Sequence, residues 1–134
     1  MNYAEIHATL STHFATYFEA VDVKDLDTVL DVLDGAVVTI GGAEITDPAQ
    51  VRAFYEGRLI APDGNGRRLT KHHVTNILWD GPDEAGVYDV RAYYFRLEPG
   101  KNRPRVTTSG RLQQRVVRDG WRWRVVHHAI VTDF

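Results

Sequence analysis

The hydrophobic period of this chain changes once, near Gly66, from the spacing of helices to that of strands, and this change restricts the fold more than any other feature. Before the change, Ile6, Leu10, Phe14, Tyr17, Phe18 and Val21 step by three and four, which predicts an amphipathic first helix over Asn2 to Val21 with one buried stripe. Asp25 can cap a shorter second helix carrying Leu26, Val29, Leu30 and Leu33, because its carboxylate can accept from the free amides of a first turn; Gly35 ends that helix. Ala36 to Ile40 is a short β-branched run, and Gly41-Gly42 followed by Glu44-Ile45-Thr46 makes it a small hairpin. Asp47-Pro48, with Gln50 three residues after the cap, starts a third helix whose inner face is Val51, Phe54, Tyr55 and Leu59.

After the turn Asp63-Gly64-Asn65-Gly66, three further turn signals divide the chain into four long strands, approximately Leu69 to Trp79, Gly86 to Leu97, Val106 to Val117 and Trp121 to Thr132. Connections this short force antiparallel neighbours, so the second half is a meander. Strands of this length accumulate twist and the sheet curls, leaving a concave side for the helices to close. The expected class is therefore α+β, a single domain over residues 1–134 with an enclosed ligand cavity. Polar side chains on both faces of the strands (His72 and Asn76 alternating with Val74 and Leu78; Arg111, Gln113 and Arg115 alternating with Leu112, Gln114 and Val116) also point to a cavity, although a solvated or dimer-forming face would account for them equally.

Composition removes several function classes. There is no cysteine, so disulfides, thiolate metal sites and a cysteine nucleophile are excluded, and the bias is to the cytoplasm. No apolar run reaches the length of a membrane span and no signal peptide opens the chain. The net charge of −2, without a basic stripe, predicts neither nucleic-acid nor membrane partners. Asp63-Gly64-Asn65-Gly66-Arg67-Arg68 lacks the lysine and hydroxyl spacing of a phosphate loop and is read as a turn.

Three segments carry a resemblance. Ala15-Thr16-Tyr17-Phe18-Glu19-Ala20-Val21-Asp22-Val23-Lys24-Asp25-Leu26, Lys71-His72-His73-Val74-Thr75-Asn76 and Asp119-Gly120-Trp121-Arg122-Trp123-Arg124-Val125 resemble the first helix, a histidine-containing strand and the final turn and strand of the SnoaL-like branch of the nuclear-transport-factor-two-like superfamily. That superfamily includes polyketide cyclases, scytalone dehydratase, ketosteroid isomerases and dioxygenase β subunits. The resemblance implies a cone-shaped cystatin-like fold, a small-molecule ligand, no cofactor and a homodimer; Tyr88, Tyr94 or Ile130 on an exposed sheet face could supply the dimer patch. Because the fold hosts many activities, the resemblance alone does not give the reaction.

In the dehydratase and dehydrochlorinase members, an aspartate at the end of helix one orients a strand histidine that removes a proton from the substrate. Asp22 and His72 fill those positions here. A neutral imidazole is a competent base near pH 7, and a carboxylate on its other nitrogen fixes the tautomer and stabilises the imidazolium. Asp22 could instead cap the second helix or pair with a lysine. The expected activity is a lyase, isomerase or cyclase acting on a small cyclic or polyketide-like substrate; the alternative is a non-catalytic ligand-binding or assembly protein of the same shape. Tyr17 matches the place where ketosteroid isomerases use a tyrosine to bind an oxyanion, but their basic aspartate has no counterpart in Val38-Thr39-Ile40-Gly41, and a buried Tyr17 with a satisfied hydroxyl accounts for it as well. Of His127 and His128, regular alternation sends one inward: alternation from Trp123 and Val125 selects His127, whereas the resemblance to the dehydrochlorinases selects His128. Arg111 could bind an anionic or carbonyl group in the pocket, or lie in solvent. Metal binding is not expected, since no His-x-His or His-x-x-x-His spacing occurs.

Overall fold

In the computed structural model, which describes residues 1–134, Asn2 is the N-cap of helix α1 (Tyr3–Val23). The Asn2 carboxamide accepts from the Glu5 amide and the Glu5 carboxylate accepts from the Asn2 amide, both at 2.9 Å, so two orphan donors of the first turn are satisfied. The helix runs two residues beyond the expected Val21, which brings Asp22 into its last turn. Capping of α2 (Leu26–Val32) falls to Asp25, whose carboxylate accepts from the Thr28 amide at 3.1 Å. A hairpin of β1 (Val37–Ile40) and β2 (Ala43–Ile45) leads to α3 (Pro48–Arg58), capped by Asp47.

The four long strands are β3 (Lys71–Asp80), β4 (Val87–Glu98), β5 (Arg105–Asp119) and β6 (Arg122–Thr132). They form the expected antiparallel meander, and the small hairpin extends it: the order is β2-β1-β6-β5-β4-β3, with β1 parallel to β6. The fold is thus α+β, three N-terminal helices on one six-stranded, mostly antiparallel sheet. Helix α1 lies across the inner face against β3 and β6. Leu10 and Phe14 from the helix meet Leu112, Val116 and Val125 from the sheet in one apolar core. Each such side chain stabilises the fold by roughly 1.5–3 kcal/mol relative to exposure. Gly110 on β5 faces this core opposite Tyr94; a Cβ there would collide with the Val131 carbonyl and the Tyr94 ring, so only glycine lets the ring lie over the strand.

Three bulges break the regular alternation assumed from sequence, one of them in β5, where Arg96 pairs with Thr108 but Leu97 with Val106 and Thr107 is the extra residue. In β3, Thr75 pairs with Tyr93 but Leu78 with Arg91, and Asn76 takes the left-handed conformation at φ 58°. Beyond it Ile77 and Trp79 pack on the core while Leu78 faces out, so His72, Val74, Asn76 and Leu78 do not share one face; the bulge accounts for Asn76 and Leu78, whereas His72 and Val74 line a cleft. In β6, Arg115 pairs with His127 but Val116 with Val125, which makes Val126 the extra residue. The expected dimer patch also needs correction: Tyr94 is buried, Tyr88 packs on Trp123, and Ile130 packs on the core. Large apolar side chains exposed on or beside the outer sheet face are instead Leu78, Tyr93, Val106 and Val131.

Candidate active site

A cleft of about 990 Å³ lies between α1 and β3, closed at one end by the segment entering β3 and by the β4–β5 turn. Phe14 and Phe18 of the helix and Val74 and Ile77 of the strand supply apolar wall. Asp22 and His72 both line the cleft, and three hydrogen bonds organise the pair. The His72 Nδ1–H donates to Asp22 Oδ1 at 2.6 Å, and the His72 amide donates to Oδ2 at 2.9 Å. Thr70, two residues earlier on the same side, donates its hydroxyl to Oδ1 at 2.9 Å. The imidazole then stacks on Phe18, with ring centres 5.0 Å apart and planes 16° from parallel.

This arrangement has a chemical consequence. A carboxylate can only accept, so Nδ1 carries the proton and the neutral ring has its lone pair on Nε2. No protein group bonds Nε2, and no sealed-in polar side-chain atom lacks a partner, so this nitrogen opens on the cleft. The side chains are only 12% exposed for His72 and 8% for Asp22, which keeps bulk water from screening the pair. The geometry is that of an oriented, accessible base whose cation would be stabilised by the carboxylate behind it.

The other sequence-selected residues lie elsewhere. His128, not His127, points inward, because the extra residue Val126 reverses the alternation after Val125. It sits in a buried chain of hydrogen bonds: His13 Nε2 to Gln114 Oε1 at 2.8 Å, Gln114 Nε2 to His128 Nδ1 at 2.8 Å, and His128 Nε2 to the Tyr17 hydroxyl at 3.3 Å. Tyr17 continues to the Tyr55 hydroxyl of α3 at 2.7 Å. With the Gln114 amide so oriented, Nδ1 of His128 accepts and its proton is on Nε2. Burial, with His13 and His127 adding positive charge nearby, pushes the His128 pKa down to about 3. Burial raises the Tyr17 phenol well above its ordinary range, and Tyr55 is pushed up to about 12. Tyr17 and His128 are thus satisfied inside the protein and do not line the cleft. His127 faces the opposite side, where Nε2 meets the Thr39 hydroxyl at 2.6 Å. Arg111 also lies outside, held by both oxygens of Asp133 at 3.1 and 3.0 Å, so its charge is already answered and it does not reach the cleft. No three His, Asp or Glu side chains gather as a metal site.

Four residues were not selected from the sequence. Thr70 is signalled only by standing two places before His72, and Tyr55 was read as apolar packing. Gln114 is the one polar member of the inward set Leu112, Gln114, Val116. His13 lies on the helix stripe between Leu10 and Tyr17, where a polar residue without a satisfied partner would be costly.

Solved structures share this fold. ActVI-ORFA of Streptomyces coelicolor superposes with a TM-score of 0.79 at 12% identity, covering 96% of this chain and 97% of that one. A candidate scytalone dehydratase from Novosphingobium aromaticivorans gives 0.70 at 15% identity, covering 96% and 84%. The β subunit of a candidate aromatic-ring-hydroxylating dioxygenase from the same organism gives 0.75 at 11% identity, covering 99% and 93%. At these identities the likeness concerns the cystatin-like fold and not the reaction. No curated protein matches the chain by sequence. The family model of the SnoaL-like domain, however, matches residues 3–129, and the chain therefore belongs to the SnoaL-like domain family.

Proposed function

We propose that this protein is a cofactor-independent lyase, isomerase or cyclase in which His72 removes a proton from carbon in a small cyclic or polyketide-like substrate. The observation that carries the reading is the 2.6 Å bond from His72 Nδ1 to Asp22 beside an Nε2 left free in an open cleft. In the step, the Nε2 lone pair forms an N–H bond as the substrate C–H bond breaks. The released electron pair moves onto an adjacent carbonyl or expels a β leaving group. The proton then sits on an imidazolium paired with Asp22 and is available to return to carbon or to the leaving group. Such a base contributes about 10²–10⁴-fold. Phe14, Phe18, Val74 and Ile77 fit an apolar ring system against this part of the wall. As a proposed homodimer, the protein would pair through the outer sheet face around Leu78 and Tyr93.

The test is deuterium incorporation from solvent, followed by proton NMR, into a panel of cyclic hydroxyketones. The wild type should label carbon next to the carbonyl of at least one compound, and His72→Gln should lose roughly 100-fold or more of that rate. Equal rates in the two proteins would remove His72 from the mechanism and favour a non-catalytic binding or assembly role, as for the dioxygenase β subunits.

A further inference from the structure

The chain as a whole is slightly acidic, but its charge is not evenly spread. Residues 63–71 and 96–105 hold seven of the sixteen basic residues and only two acidic ones, Asp63 and Glu98. These segments are far apart in sequence, yet the register pairs Lys71 with Leu97 and both line the same end of the Asp22–His72 cleft. Each of their carboxylates is already answered by an arginine: Asp63 by Arg67 at 3.2 Å and Glu98 by Arg96 at 3.1 Å. That leaves Arg68, Lys71, Lys101, Arg103 and Arg105 without an acidic partner. Arg68 and Lys71 border the cleft itself.

The loop that presents Arg68 is not slack. The Asp63 carboxylate accepts from the amides of Asn65 and Arg67 at 2.9 and 3.0 Å, and the Asp63 amide donates to the Arg67 carbonyl at 2.9 Å. Thr70, which follows directly, is tied to Asp22. The same short segment therefore fixes two uncommitted cations at the rim and the base at the wall. Across the cleft, Glu19 on α1 is an exposed carboxylate with no ion pair, so the mouth is polarised, basic at the loop and acidic at the helix. A ligand entering it is oriented by its charge.

We infer that the substrate carries an anionic group, a carboxylate or a phosphate, which Arg68 and Lys71 hold at the rim while an apolar ring reaches inward to His72. This deepens the proposed function and rests on it only for the place of the reacting carbon. Guanidinium and ammonium groups recognise both anions, so the chemistry is shared and the source is left to the probes.

Calorimetric titration with 2-naphthoate, 2-naphthyl phosphate and methyl 2-naphthoate separates the possibilities, with amide shifts of residues 66–74 reporting the place of binding. At least one anion should bind about tenfold more tightly than the neutral ester, a preference that weakens as salt is added. The double variant Arg68→Gln, Lys71→Gln should bind anion and ester alike. A preference for naphthoate alone identifies a carboxylate, and for the naphthyl phosphate alone a phosphate. Ester binding as tight as that of both anions, no anion binding at all, or a preference that survives in the double variant would each overturn the inference. Because His72 is intact in these proteins and deuterium labelling is measured separately, loss of the anion preference and loss of the base chemistry are distinguishable.

Discussion

Two histidines of this fold are each tied to a neighbour by a short hydrogen bond, and they are built for opposite ends. His72 has Nδ1 committed to Asp22 and Nε2 open on a cleft. His128 has Nδ1 committed to Gln114 and Nε2 turned toward Tyr17 and Tyr55, with almost no exposure. The first keeps one valence for a ligand; the second spends both on the protein. Reactivity is thus not a property of residue type but of which atom the surrounding structure leaves unsatisfied.

The comparison is broken most severely at its open end. His72→Gln should lower turnover by about 10²–10⁴-fold while leaving the denaturant midpoint nearly unchanged, measured by steady-state kinetics and urea unfolding. At the closed end the expected effect is on stability and depends on pH. The His128 pKa is depressed, so the unfolded chain binds the proton that the folded chain refuses between about pH 3 and the ordinary histidine value near 6.5. Stability is therefore full above that window and falls as pH drops through it, by ~3–5 kcal/mol. Burial lowers the His13 pKa in the same direction. Urea midpoints measured from pH 7 to pH 4 should fall, and less so in His128→Leu. That variant should cost about 2–3 kcal/mol at pH 7, because the Gln114 amide and Tyr17 hydroxyl lose a buried partner. The smallest effect is expected outside both regions: Arg111→Gln should change stability by less than about 0.5 kcal/mol and leave turnover alone, since it breaks only an exposed pair.

The helices and the meander were legible because caps and turn residues act locally. Asp25 and Asp47 stand at the starts of the second and third helices, the apolar stripe from Ile6 to Val21 marks the first, and Gly120 turns the last hairpin. Asp22 and His72 were legible through the resemblance. What sequence could not supply was registry: a single extra residue, Val126, decided which of His127 and His128 faces inward, and Asn76 reversed the face of Leu78. Bulges depend on pairing with a distant strand, which no local pattern encodes. The parallel docking of β1 on β6 is of the same kind, as is the gathering of Arg68 and Lys71 beside the β4–β5 turn. Arg111 looked available only because its partner Asp133 lies on another strand's end.

The central claim is that the protein holds His72 with its proton on Nδ1 and its lone pair on Nε2. Long-range nitrogen–proton NMR on nitrogen-15 histidine-labelled protein, at a pH where the ring is neutral, reads this tautomer directly. The account predicts a protonated Nδ1 and a bare Nε2 for His72, with the preference lost in Asp22→Leu. A proton found on Nε2 of the wild-type ring would contradict it.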